Sequence, residues 1–194
     1  MYAWTMDQRT ELPPWAARLL EEVDGTDLQA KEVARALTEA QLNWRAAPDS
    51  WSIGQCLLHL LVANDVYLAP IARALDHRTP SPVEAITPGW FGRWFIRTAI
   101  EPSTQKRRGK APRKIAPPQH ASGDVVDRFV RSNVALREMI RRAGPYDVNR
   151  IRFQNPFVPI IFFTVGTGLE IVVRHQRRHL LQAERVRKAP GFPK

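Results

Sequence analysis

Residues 52–76, SIGQCLLHLLVANDVYLAPIARALD, read as one long helix and decide the fold class. Ser52 and Gln55 have the spacing of a capping box, in which the hydroxyl accepts from the backbone three residues on and the glutamine returns the bond. Behind the cap, Cys56, His59, Leu60, Ala63, Tyr67 and Ile71 recur at helical spacing. Pro70 is expected to kink the last turn, and Asp76, His77 and Pro80 to end the run. A histidine in the middle of that apolar stripe is the first chemical signal in the chain.

Upstream, Trp15, Ala16, Leu19, Leu20 and Val23 make a short stripe that Gly25 interrupts. Thr26 and Gln29 then suggest a second capping box, and Ala30, Val33, Ala34 and Leu37 continue the apolar face. The expectation is one broken helix or two short ones over 14–37, then a turn region over 38–49 with a helical piece around Leu42 and Trp44. Downstream, residues 76–121 lose their periodicity. They hold the aromatic segment GWFGRWF at 89–95 and a basic, proline-containing tract at 101–118. A connection this long inside a compact domain needs a reason. A crossover between two parallel helices of a bundle supplies one, and it could cover an open end.

A third helix is expected to start at a Ser122 cap, with Asp124 and Asp127 at its positive end. Val126, Phe129, Val130, Leu136 and Ile140 give its buried face, and Gly144 with Pro145 stops it. Residues 146–159 read as a loop. The fourth helix is expected from about Ile160 to Arg187, with Leu169, Val172, His175, His179, Ala183 and Val186 along one side. No strand signal competes, although Arg150 to Phe153 alternates briefly. The architecture is therefore all-α: four main helices in one domain over 1–194, the middle pair parallel across a crossover at 76–121.

Composition fits that picture. Hydrophobic residues make up 44% and charged residues 25%, which excludes wholesale disorder. The net charge of +10 brings nucleic acid and anionic membranes into consideration. Two clusters hold much of it: Lys106, Arg107, Arg108, Lys110, Arg113 and Lys114, and then Arg174, Arg177, Arg178, Arg185, Arg187 and Lys188. No interleaved aromatic or recognition-helix signature accompanies them, so nucleic acid is disfavoured as the main partner. The longest apolar stretch, Val158 to Val173, is broken by Gly166, Gly168 and Glu170 and is too short to span a bilayer. No signal peptide pattern opens the chain. Cys56 is the only cysteine, so an internal disulfide is excluded and a reducing compartment is suited. A cytoplasmic protein without a membrane partner is the expectation.

The sharpest motif is HQRRH at 175–179. Two helical positions four apart differ by only about 40° around the axis, so both imidazoles project from one face and can bind one metal ion. Taken alone, the pair reads equally as surface or packed histidines. His59 changes the weighing, because a buried imidazole needs partners and a bundle can bring its helix against the last one. His59, His175 and His179 are therefore the candidate ligands of one divalent metal with an open coordination position. His77 and His120, at the crossover's edges, read as loop residues. Gln55 and, more weakly, Gln182 lie where they could support a ligand histidine.

The stretches LNWRAAPDSWSIGQCLLHL (42–60) and HQRRHLLQAERV (175–186) resemble the DinB-like (DinB/YfiT) superfamily. So does their order, a tryptophan-serine helix start, a first histidine, a long crossover and a final His-x3-His. The resemblance runs from about Leu28 to Arg187. It implies an up-down-down-up four-helix bundle with zinc or nickel at one end, held by His59, His175 and His179. It also implies a metal-dependent hydrolase, or a transferase that uses a low-molecular-weight thiol as cosubstrate, and frequent homodimers. Gln176 departs from the pattern, standing where a glutamate often follows the first histidine of the pair, and Gln55 and Leu58 lack acidic residues sometimes seen there.

Three functions remain in contention. The first is a metal-dependent enzyme acting on a small-molecule substrate. Neither Glu170 nor Asp65 lies on the ligand face to serve as general acid or base, which tips the balance slightly towards thiol transfer over hydrolysis. The second is a metal-containing binding or stress-response protein without turnover, marked by a closed coordination shell or by a pocket plugged by Trp90, Phe91 or Trp94. The third is a basic bundle that binds nucleic acid, with incidental histidines. The tryptophans are expected chiefly as packing, with Trp51 buried against a neighbouring helix.

Overall fold

Four long helices carry the computed structural model, which describes residues 12–101 and 112–194. They are α1 (Pro14–Val33), α3 (Ile53–Leu75), α5 (Val125–Ala143) and α6 (Val165–Arg187). Two short helices, α2 (Glu39–Asn43) and α4 (Trp90–Phe95), lie in the connections. Helix α3 packs on α5 and α6, and α1 packs on the same two. The protein is mostly helical, as its periodicity predicts.

The capping box at Ser52 forms as read: Gln55 N–H donates to Ser52 Oγ at 3.1 Å, and Ser52 N–H to Gln55 Oε1 at 3.2 Å. Helix α3 then runs through Pro70 to Leu75, with Asp76 as its last half-turn residue. It is long and apolar enough by composition to cross a membrane, yet 61% of its most apolar window is buried inside the fold. Core packing accounts for its hydropathy.

Helix α1 is unbroken, against expectation. Gly25 is tolerated in its interior, and Thr26 caps nothing. Its hydroxyl lies 2.8 Å from both the Val23 carbonyl and Gln176 Oε1. At α5, Ser122 is not the cap either. Asp124 holds that position without a side-chain cap bond, and Ser122 Oγ bonds to its carboxylate instead. Between α5 and α6 the expected loop contains a hairpin, β1 (Arg152–Gln154) paired antiparallel with β2 (Phe162–Thr164). The brief alternation was a real strand signal: Phe153 and Phe163 face each other across the register and are both buried. Asn155 Oδ1 accepts from the amides of Phe157 and Val158 and helps turn the chain between the strands. Because β2 consumes residues 162–164, α6 starts at Val165, capped by Thr164.

The core has two apolar parts. One gathers Leu19, Val23, Tyr67, Ile71, Leu136, Ile140 and Leu169 with the hairpin phenylalanines. The other gathers Ala30, Val33, Leu57, Leu60, Phe129, Leu180 and Ala183. Between them lies a polar layer to which every long helix contributes. Gln176 Nε2 donates to Asn64 Oδ1 at 2.9 Å and to Asn133 Oδ1 at 2.8 Å. Asn133 Nδ2 donates to Asp27 Oδ1 at 2.7 Å, and Arg137 closes the layer against the other carboxylate oxygen. Buried amides stay in such a place only when each finds partners, and here each does.

The crossover is not structureless. After α4 the chain continues through a π-helical turn, Ile96–Ile100, and later a 3-10 turn, Arg113–Ile115. Trp15 Nε1 donates to the Val83 carbonyl at 3.0 Å and ties its first part to α1. Lys106, Arg107, Arg108 and Lys110 of the first basic cluster lie outside the described residues.

Candidate functional site

Helices α3 and α6 bring His59, His175 and His179 together. His59 sits on the second turn of α3, where the cap at Ser52 has fixed the helix start, and is 1% exposed. His179, 8% exposed, lies one turn beyond His175 on α6. His175 Nε2 is 3.1 Å from His59 Nε2 and 3.1 Å from His179 Nε2. One ring nitrogen from each residue falls within 4.8 Å of the others.

The outer ring nitrogens decide what the inner ones can do. His59 Nδ1 is 2.6 Å from the carbonyl of Ile115, which can only accept, so the proton of the neutral ring sits on Nδ1. His179 Nδ1 is held in the same way by Gln182 Oε1 at 3.0 Å. Both Nε2 atoms therefore present lone pairs to His175 Nε2, which has at most one proton to give. One of the two contacts is then lone pair against lone pair unless a cation lies between them. Zinc–nitrogen bonds of about 2.0–2.1 Å in a tetrahedral shell would separate the nitrogens by about 3.3–3.4 Å, close to the 3.1 Å of the two pairs that His175 makes. The donor set fits one divalent ion.

Electrostatics keep the rings neutral. Burial pushes the proton affinity of all three imidazoles down, His175 well below its ordinary range and His179 to about 3. Their mutual proximity and the nearby Arg178 charge depress them further. Neutral imidazole is the form that binds a metal.

A family model described as the DinB superfamily matches residues 13–183. The chain belongs to the DinB superfamily. The match takes in all three histidines, and it begins with α1 rather than near Leu28. Neither a search of curated proteins nor one of solved structures found a match.

Beside the histidines of this DinB protein opens a cavity of about 240 Å³. Trp51, expected as packing, also lines it: its ring stacks on His179 at 5.4 Å and lies 4.7 Å from His59. Tyr67, Phe95, Phe157 and Ile171 supply apolar surface, and Ala99, Ile100 and Ile115 bring in the crossover. The crossover thus covers the site, as a long connection at an open end suggests. The plug by Trp90, Phe91 or Trp94 is not found. Trp90 is 73% exposed, and Phe91 stacks on Phe163 outside the cavity.

Other candidates fall outside the site. Gln55 is used by its cap and by a bond from Nε2 to the Pro118 carbonyl. His120 pairs with Glu39, and neither it nor His77 approaches the trio. Glu170, 4% exposed, is held by Arg18 and Arg174. Gln176, the departure from the family pattern, belongs to the polar layer. Arg178 is the cavity residue that spacing did not single out. It lines the cavity while its Nη1 donates to the carbonyl of Ala99 at 2.8 Å.

Proposed function

We propose that His59, His175 and His179 hold one divalent metal ion, zinc or nickel, and that the protein is a thiol-dependent S-transferase acting on a small molecule. The observation that carries this reading is the cavity beside three convergent Nε2 atoms, in whose wall no carboxylate stands among the described residues. Three neutral nitrogen ligands leave a coordination position open, and the ion would supply stabilisation of a thiolate or of hydroxide there. Hydrolysis, the second reading allowed by the ligand set, also calls for a proton-transfer group at the open position. Among the described residues Tyr67 is the one weak acid on the wall, and burial raises its proton affinity further, so it holds its proton and serves as surface. S-transfer asks less of the wall, because a thiol bound at the ion would release its proton to solvent near neutral pH without a wall base. The cosubstrate on this reading is a low-molecular-weight thiol.

The topology that goes with this reading is the up-down-down-up bundle, in one domain, with the crossover between α3 and α5. The division of the core supports it. The starts of α3 and α5 share one apolar cluster with the ends of α1 and α6, and the other cluster holds the opposite ends. A nucleic-acid partner is not favoured, since Arg174, Arg177, Arg178 and Arg187 of the second basic cluster are engaged within the fold. The reading places the protein in the cytoplasm, where buried Cys56 stays reduced, and takes a homodimer from the habit of the family.

The test is metal content by plasma mass spectrometry on tag-free wild type and His179→Ala, followed by a thiol-cosubstrate screen. Near-stoichiometric zinc or nickel that is lost in the variant supports the site. A wild type that holds no metal and takes none up when offered it ends the enzyme reading.

A further inference from the structure

The cavity has a charge problem that its wall does not solve. On the reading above, which this inference extends, a divalent cation sits on three neutral imidazoles. Arg178 adds another positive charge at the same wall, which it shares with His59, His175 and His179. No aspartate or glutamate lines the cavity among the described residues. The acidic residues that adjoin lining positions 100 and 171 in the chain are already used: Glu101 binds Arg174 Nη1 at 2.8 Å, and Glu170 binds Arg18 and Arg174. Unbalanced positive charge in a half-enclosed, largely apolar space is costly, so the neutralising anion has to arrive with the ligand.

Arg178 is built to receive it. Nη1 donates to the carbonyls of Ala99 and Ile100, at 2.8 and 3.4 Å, where the π-helical turn ends. These bonds pin the guanidinium against the crossover and use one nitrogen. Nε and Nη2 have no partner among the described residues, and a fork held in this way fits the two oxygens of a carboxylate. The remaining wall is Tyr67, Phe95, Ile100, Ile115, Phe157 and Ile171, a surface for hydrocarbon and not for a strongly hydrated ion. We propose that Arg178 and the three histidines form one anion-binding subsite, and that its ligand is an organic carboxylate with an apolar or aromatic body.

The experiment compares phenylacetate with its neutral isostere phenylacetamide by ligand-observed NMR titration. The protein is the full chain, metal-free and zinc-loaded, as wild type, Arg178→Met and Arg178→Lys. Metal-free wild type is expected to bind the carboxylate about tenfold more tightly than the amide, the worth of one charge-assisted pair. Zinc should widen that ratio. Arg178→Met should bring the metal-free ratio to about one with zinc uptake intact, and Arg178→Lys should keep part of the preference. Equal affinity for both probes in the wild type, or a metal-free preference that survives in Arg178→Met, overturns the proposal. Failure of the wild type to take up zinc would remove the three-histidine metal site alone, and the metal-free ratio would still decide the role of Arg178. Should Arg178→Met not fold by circular dichroism, the lysine variant decides: an undiminished metal-free ratio there counts against the proposal.

Discussion

His59 donates its Nδ1 proton to the main-chain carbonyl of Ile115 at 2.6 Å, so the crossover sets the orientation of the first histidine. Gln182 does the same for His179 from within its own helix. Partners of this kind hold the ring and raise its basicity as a ligand, and their loss typically weakens metal binding by about 10–100-fold. Gln182→Ala is therefore expected to weaken zinc binding by roughly that factor while the fold persists. Competition against a chromophoric chelator measures it. Unchanged affinity would show that His179 needs no support.

The metal-free protein should lose stability on acidification in a defined window. All three imidazoles bind protons less readily in the fold than in the unfolded chain, where the ordinary value is 6.5. Below 6.5 the unfolded chain takes up protons that the folded one refuses, so stability rises with pH across that range. It is fully present above about 6.5 and drains away as pH falls, towards about 3 for His179. Thermal melts of metal-free wild type at pH 7.5 and 5.0 should differ more than those of His175→Gln/His179→Gln. Equal differences would mean that the trio contributes nothing to the pH dependence.

The polar layer offers a third test. Gln176 has no solvent exposure and bonds to residues from three other helices. Gln176→Leu keeps the size of the side chain but leaves Asn64 Oδ1 without its donor, while Asn133 Oδ1 keeps Asn64 Nδ2 and the Thr26 hydroxyl keeps the Val23 carbonyl. The expected cost is about 1–3 kcal/mol in urea unfolding, the forfeit of one orphaned buried acceptor. A loss under 0.5 kcal/mol would imply that the layer rearranges or admits water. His175 is the adjacent residue, so metal affinity should fall as well if the layer sets the rotation of α6.

This layer also lies beyond what local sequence patterns carry. Helical periodicity and the Ser52 cap revealed the long helices and the histidine trio because both signals are local, with spacings set by the helix itself. Gln176 looked like a departure from a motif, since its three partners are 43 to 150 residues away and no local pattern joins them. Thr26 misled for the same reason: threonine before a glutamine at capping distance is a local signal, and a tertiary bond overrode it. Arg178 was visible only as one of a row of arginines until the fold put it against the cavity. The hairpin leaves only the brief alternation before Gln154, because three-residue strands are too short for a longer pattern.

Two glycines test the geometry of the helices in opposite directions. Gly25 lies exposed inside α1, and a methyl group added there would meet nothing within 4 Å. Gly25→Ala should stabilise the protein by about 0.5–1 kcal/mol, because alanine loses less backbone freedom in a helix. Gly54 is buried in the first turn of α3, and a Cβ there would lie 2.4 Å from Ala121 Cβ and 3.2 Å from the Leu42 carbonyl oxygen. Ala121 cannot swing aside, since Asn43 holds its amide at 2.8 Å and its carbonyl at 2.7 Å. Gly54→Ala must instead push the end of the crossover off α3, at a cost of about 1–3 kcal/mol. Because α3 carries His59 one turn further on, zinc affinity should fall with it. Urea unfolding of both variants, each with a chelator competition, reads the two effects separately. If Gly54→Ala proved as stable as the wild type, the packing of residue 121 against α3 would be wrong, and with it the account of how the crossover closes over the site.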